Sequence, residues 1–226
     1  MTQISYKADV DVMELVTRVL KLYKEKSHNR LVISVAGVPG SGKTTFTAEV
    51  VRILNQTIPT LVLPQDGFHY YRGDLAKFED PKKALERRGA PFTFNAKAFV
   101  GVISKLNDPL WATVDIHAPS FDHRLKDPVE NDIKISPEVK IVFLEGNYVS
   151  LKDPIWTDIS SFCDETWFVA TEWDIVLGRI IRRHLEAGIA ATEEEAKFRA
   201  QGSDQMNAEY IIANSKPTTV LITNNK

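Results

Sequence analysis

Hydrophobic side chains recur along this chain with two periods, and the changes of period mark where helices give way to strands. Val12, Leu15, Val16, Val19, Leu20 and Tyr23 repeat at helical spacing, which predicts an amphipathic helix over residues 9–26. Leu31 to Ala36 follows as a short apolar strand, Phe46, Val50, Ile53 and Leu54 mark a second helix, and Thr60 to Pro64 reads as a buried strand running into Asp66. Residues 95–106 are expected to be helical with Asn95 as N-cap, and residues 113–117 extended. Lys140 to Leu144 and Thr166 to Ala170 are further apolar strands, the first ending on Glu145 and Gly146, the second near Thr171 and Glu172. Helical spacing returns over residues 174–186 and 193–213, and residues 218–223 supply a last strand. This alternation predicts an α/β fold, a doubly wound parallel sheet with helices on both faces and a ligand beyond the carboxyl ends of its strands.

Gly37 to Thr45 reads GVPGSGKTT, a complete G-x-x-x-x-G-K-[ST] loop set between the first apolar strand and a helix. A glycine-rich turn could match part of that pattern by chance, but the strand and helix around it specify a phosphate-binding loop. Gly37, Gly40 and Gly42 free the backbone to turn its N–H groups toward one anion, with Ser41 between them, and the next helix adds the positive end of its dipole. Lys43 is expected to reach the β- and γ-phosphates, and Thr44 to offer its hydroxyl to Mg²⁺, with Thr45 completing the nucleotide-binding set. The cofactors expected are therefore ATP and Mg²⁺.

Phosphoryl transfer further needs a group that orients or deprotonates the acceptor, and cations for developing charge. Asp66, at the carboxyl end of a strand, is the candidate base; an outer-shell Mg²⁺ ligand and an ordinary Asp-Gly turn are its other readings. His69 is open to substrate contact or to packing within Phe68, Tyr70 and Tyr71. Glu145 closes the strand expected beside the phosphate loop, where it suits either hydrated Mg²⁺ or substrate hydroxyls. Arg179, Arg182 and Arg183 fall at i, i+3 and i+4 on one helix, either a lid closing over the triphosphate or a solvated basic face. Residues 87–95, with Arg88, and residues 118–124, with Phe121 and His123, mix aromatic, basic and hydrogen-bonding groups suited to a small polar acceptor.

Twenty-eight basic against 30 acidic residues leave a net charge of −2, which does not call for a nucleic-acid partner. The single cysteine, Cys163, excludes an intramolecular disulfide, suits a reducing compartment and reads as a small buried hydrophobe. Residues 1–11 lack a signal-peptide core, and no stretch approaches the roughly 20 apolar residues of a membrane span, so a cytoplasmic protein without a membrane partner is expected. The apolar face of the amino-terminal helix suits either the core or a second copy of the chain in a homodimer.

Taken together, the loop GVPGSGKTT, Asp66-Gly67-Phe68-His69, Arg88-Gly89-Ala90-Pro91, Glu145-Gly146-Asn147-Tyr148 and Arg179-x-x-Arg182-Arg183 resemble the P-loop metabolite kinases that include uridine kinase, phosphoribulokinase and bacterial-type pantothenate kinase. The resemblance runs from about Leu31 to Thr223. It implies a five-stranded parallel core, ATP and Mg²⁺, Asp66 as general base toward a primary hydroxyl, and Lys43 with the lid arginines stabilising the transferred group. Residues 87–94 look closest to the pantothenate-kinase-like branch and Phe121 to Arg124 to the substrate loop of uridine kinases, while His69 departs from the tyrosine often found there. The expected organisation is one kinase domain over 1–226, with an amino-terminal helix within 1–28, acceptor segments in 66–124 and a lid in 174–190. Acceptors of nucleoside, sugar and pantothenate-like type stay open. A nucleotide-dependent hydrolase or switch, and a binding module without turnover, are the other function classes; no [NT]KxD guanine-reading segment supports a switch.

Overall fold

The computed structural model describes residues 3–26 and 30–225; Met1, Thr2 and residues 27–28 of the expected amino-terminal segment lie outside the described residues. In chain order the first half contains β1 (Ile4–Lys7), α1 (Val12–Glu25), β2 (Leu31–Gly37), α2 (Lys43–Leu54), β3 (Thr60–Pro64), α3 (Arg72–Leu75), α4 (Pro81–Glu86) and α5 (Ala96–Lys105). The second half contains β4 (Ile116–Asp122), β5 (Asp127–Ile135), β6 (Ile141–Gly146), β7 (Glu165–Ala170), α6 (Trp173–Glu186), α7 (Glu193–Arg199), α8 (Gln205–Asn214) and β8 (Val220–Thr223).

The main sheet is parallel throughout, in the order β1-β8-β7-β2-β6-β3. It has six strands where five were expected, because Ile4 to Lys7 adds an edge strand beside β8. Side chains alternate across β2: Leu31, Ile33 and Val35 enter the core formed with α1 and α2, whereas Val32 and Ala36 enter the core on the opposite face, with α5 and α6. That period of two, with both faces covered, explains why β2 and β6 read as apolar runs.

The amino-terminal helix packs on its own chain. Leu15, Val16 and Val19 are buried against the α2 face, and Arg18 Nε donates to both carboxylate oxygens of Glu165 at 2.9 and 3.0 Å. That apolar stripe is therefore used within the protomer and is not a surface for a second copy. Asn95 caps α5 as expected, accepting from Ala98 N at 3.0 Å. The extended stretch expected over 113–117 is longer and belongs to a separate β4–β5 antiparallel hairpin, and the expected helix over 193–213 is broken at Ala200–Asp204 by a wider π-helical turn containing Gly202.

The hairpin is packed directly on the turn after β3. A Cβ on Gly67 would lie 2.0 Å from Pro119 O, a backbone atom that cannot swing aside. Gly67→Ala is therefore expected to lower the unfolding free energy by about 1–3 kcal/mol, seen as a lower urea midpoint at unchanged slope. An unaltered midpoint would show that the hairpin moves freely from the turn. Among the described residues no helix is long and apolar enough to cross a membrane.

Candidate active site

Sheet register brings the expected groups together. Val35 pairs with Glu145 across β2 and β6, Pro64 pairs with Glu145 across β3 and β6, and Gly37 ends β2 at the same edge. The phosphate loop, Asp66 and Glu145 thus emerge side by side at the carboxyl ends of adjacent strands. They line a cleft of about 1160 Å³ that also takes in Lys43, Thr44, His69, Arg88, Phe121, His123 and Arg183.

The loop is held for an anion. Gly40 and Gly42 stand at φ +78° and +82°, a left-handed backbone that side chains disfavour. Arg179 Nη1 donates to Gly40 O at 3.0 Å, and both Thr171 Oγ1 and Asn224 Nδ2 donate to Ser41 O at 2.9 Å, so these loop carbonyls are already engaged. Where Asn95 and Thr192 cap their helices with side chains, Gly42 gives α2 none, which leaves first-turn N–H groups for a ligand. Ser41 Oγ is buried without a hydrogen-bond partner. Thr45 is exposed and stands outside the cleft lining.

Beside the loop, Lys43 Nζ lies 3.8 Å from Glu145 Oε1, and both residues are buried. Burial pushes Lys43 down and Glu145 up; their mutual attraction opposes both shifts. His69 is clamped by aromatic rings, 3.9 Å from Phe94 and 4.8 Å from Phe121 between centroids. Its Nδ1 is 2.7 Å from Asp66 O, and a carbonyl only accepts, so the ring carries its proton on Nδ1 and leaves Nε2 as an acceptor. Burial lowers the His69 pKa, against the pull of Asp66, and favours this neutral form.

Two expectations change. The three arginines of α6 do not act as one face: Arg183 lines the cleft, Arg182 is exposed and 3.7 Å from Glu186, and Arg179 is engaged with Gly40 O and, at 3.4 Å, Asn224 O. At about 100° per residue, positions 182 and 183 diverge too far to reach the same ligand. Arg88 lines the cleft, but its guanidinium is committed to Tyr70 O at 3.1 Å, to Asp127 Oδ1 at 2.8 Å and to Lys126 O. It ties the 87–95 loop to the hairpin. Tyr148, fully buried, ties the same loop to β6 by donating to Gly89 O, while its own N–H donates to Gln65 Oε1 at 2.9 Å.

The wall formed by His184, Phe198, Arg199, Asp204 and Asn207 escaped the sequence reading. His184 Nε2 lies 3.2 Å from Asp204 Oδ2, and Asn207 Oδ1 accepts from Arg87 at 2.9 Å. The signal available was Gly202-Ser203-Asp204, a polar break inside an otherwise helical pattern. Cys163 is half-buried against the core, where a buried hydrophobe was expected; desolvation pushes its thiol up to about 12, and Sγ donates to Ile159 O.

Comparison with known proteins agrees with this arrangement. Residues 32–196 match the phosphoribulokinase / uridine kinase family. A Schizosaccharomyces pombe protein with a provisional uridine-kinase name is 37% identical over 207 residues, covering 89% of this chain and 85% of that one. An Aspergillus versicolor protein named ATP-dependent kinase-like is 38% identical over 161 residues, 71% of this chain and 94% of its own length. Among solved structures, a Silicibacter kinase provisionally assigned to a fructose transport system superposes with TM-score 0.82 at 28% identity, over 93% of this chain and 98% of that one.

Proposed function

This chain belongs to the phosphoribulokinase / uridine kinase family, an ATP-dependent kinase of small metabolites, and we propose that it transfers the γ-phosphoryl group of ATP to an alcohol group of its acceptor. The observation that carries this reading is the convergence of Lys43, Thr44, Asp66 and Glu145 in one cleft with an aromatic and basic second half. Lys43 and Arg183 stabilise charge on the transferred group, and the loop N–H groups orient the phosphates. Asp66 takes the proton of the incoming hydroxyl, and His69 Nε2 accepts a hydrogen bond from the acceptor. Arg179 contributes by fixing the loop it contacts.

Thr44 and Glu145 fit Mg²⁺, which binds through few protein oxygens and completes its shell with water and phosphate; among the described residues no larger cluster of acidic or metal-binding side chains offers another site. When bound, the ion screens charge between phosphate oxygens.

A walled acceptor half favours transfer over a hydrolase or switch, which needs none. The names of the relatives divide between uridine and a fructose transport system, so they do not select among nucleoside, sugar and pantothenate-like acceptors. An assay of ADP formation with Mg·ATP, run over those acceptor classes beside an acceptor-free control, tests the reading. At least one acceptor should raise turnover well above the control; turnover indifferent to every acceptor would favour the hydrolase.

A further inference from the structure

Once Asp66 and Glu145 are assigned to the proton and the metal, and Arg88 is balanced by Asp127, the charge left on the acceptor half is basic. Lys126, Arg124 and His123 share the cleft lining with two further carboxylates, Glu86 and Asp204, and Asp204 is already paired with His184 at 3.2 Å and Arg183 at 3.9 Å. The first three belong to the turn between β4 and β5. Lys126 has no ion-pair partner among the described residues.

This turn is built, not loose. Lys126 stands at φ +59°, a left-handed conformation that a residue with a side chain adopts only where its surroundings enforce it. Lys126 N donates to Asp122 O at 2.7 Å, and Asp122 Oδ1 accepts from Arg124 N and Leu125 N at 2.7 and 3.0 Å. Arg88 then holds Lys126 O from the opposite loop and stacks over Phe121, with 5.6 Å from Cζ to the ring centroid. The Asp122 carboxylate shapes the turn through these backbone N–H groups and partly offsets Arg124 and His123, while no ion pair joins it to Lys126. Between the turn and Asp66, the rings of Phe121, His69 and Phe94 stack in series.

Resting on the kinase reading above, we propose that the acceptor is an anionic metabolite. Its phosphate or carboxylate pairs with Lys126, aided by Arg124 and His123, its carbon skeleton lies along Phe121 and His69, and its hydroxyl reaches Asp66. A neutral nucleoside or free sugar would bury none of this charge. A charge-assisted contact of this kind contributes enough binding energy to discriminate by about tenfold or more.

The test uses pairs with and without an oxyanion whose charged members keep a free primary hydroxyl: D-glucitol 6-phosphate and D-glucitol, D-fructose 6-phosphate and D-fructose, D-glycerate and glycerol. With the full chain and Mg·ATP, the charged member of an accepted pair is expected to exceed its neutral partner in kcat/KM by at least about tenfold. Lys126→Gln should raise the acceptor KM and close that gap at unchanged KM for ATP, and Lys126→Arg should restore most of it. Response of the sugar-phosphate pairs or of the glycerate pair identifies which oxyanion is read. Equal or better use of neutral members overturns the proposal while leaving the kinase reading intact, as does a gap that survives Lys126→Gln. If no member, charged or neutral, accelerates ADP formation, the proposal falls, while the kinase reading stands or falls with the wider acceptor assay above.

Discussion

Asp66→Asn is expected to reduce acceptor-dependent turnover by about 10²–10⁴-fold, the usual contribution of a positioned base, while Mg·ATP affinity stays within about threefold. Asparagine keeps the size of the side chain but cannot take the hydroxyl proton. The turn that holds residue 66 does not depend on the carboxylate: it is fixed by Gly67 against Pro119 and by His69 bonding to the Asp66 carbonyl. Rapid-quench or steady-state kinetics with equilibrium nucleotide titration separate the two quantities. Parallel loss of nucleotide binding would assign Asp66 to the metal instead of the proton.

Lys43→Met is expected to damage both, lowering nucleotide affinity and reducing kcat/KM by about 10²–10³-fold, because the same ammonium meets the bound phosphates and the charge that develops on transfer. Its effect on stability should reverse with pH. Glu145 already titrates above its ordinary value because it is buried, so ionising it destabilises the fold as pH rises from the unfolded carboxylate range through the raised pKa. Lys43 limits that penalty. Without it the pKa of Glu145 rises further, and at pH 8 the variant should be less stable than the parent by about 2 kcal/mol, short of the ~3–5 for a dry pair because the cleft admits water. At pH 4, where Glu145 is protonated, the parent instead keeps a buried ammonium that has lost its nearest counter-charge and retains only the weaker pull of Asp66, and the difference should vanish or change sign. Urea denaturation at the two pH values reads it directly; a deficit independent of pH would mean that the ion pair is not what holds Glu145.

Much of this site was legible in the sequence because its parts sit where local rules are strong. The phosphate loop is defined by glycines that adopt positive φ, and β2 and β6 are central strands whose buried runs announce themselves, with β7 beside them alternating buried and half-buried residues. Their parallel register then forces Asp66 and Glu145 to the edge occupied by the loop. What escaped was decided by tertiary contact. β1 is four residues of mixed polarity at a sheet edge, and β5, with Pro128 and the exposed Glu130 to Asp132, pairs only with β4. Nothing in helical spacing could divide Arg179 from Arg183, since that division comes from where α6 meets the loop. Arg88 read as a substrate ligand because its partners, two carbonyls and Asp127, come from segments distant in sequence or unmarked by type. The wall at His184 and Asp204 depends on a helix break whose glycine is visible but whose direction is not.

The most direct test of phosphoryl transfer to a hydroxyl is ³¹P NMR of the completed reaction with the best acceptor. A new phosphomonoester resonance coupled to the acceptor's carbon-bound protons, equal in amount to the ADP formed and lost in Asp66→Asn, is the predicted result. Inorganic phosphate equal to the ADP, with no ester, would contradict it and make this protein a nucleotide hydrolase.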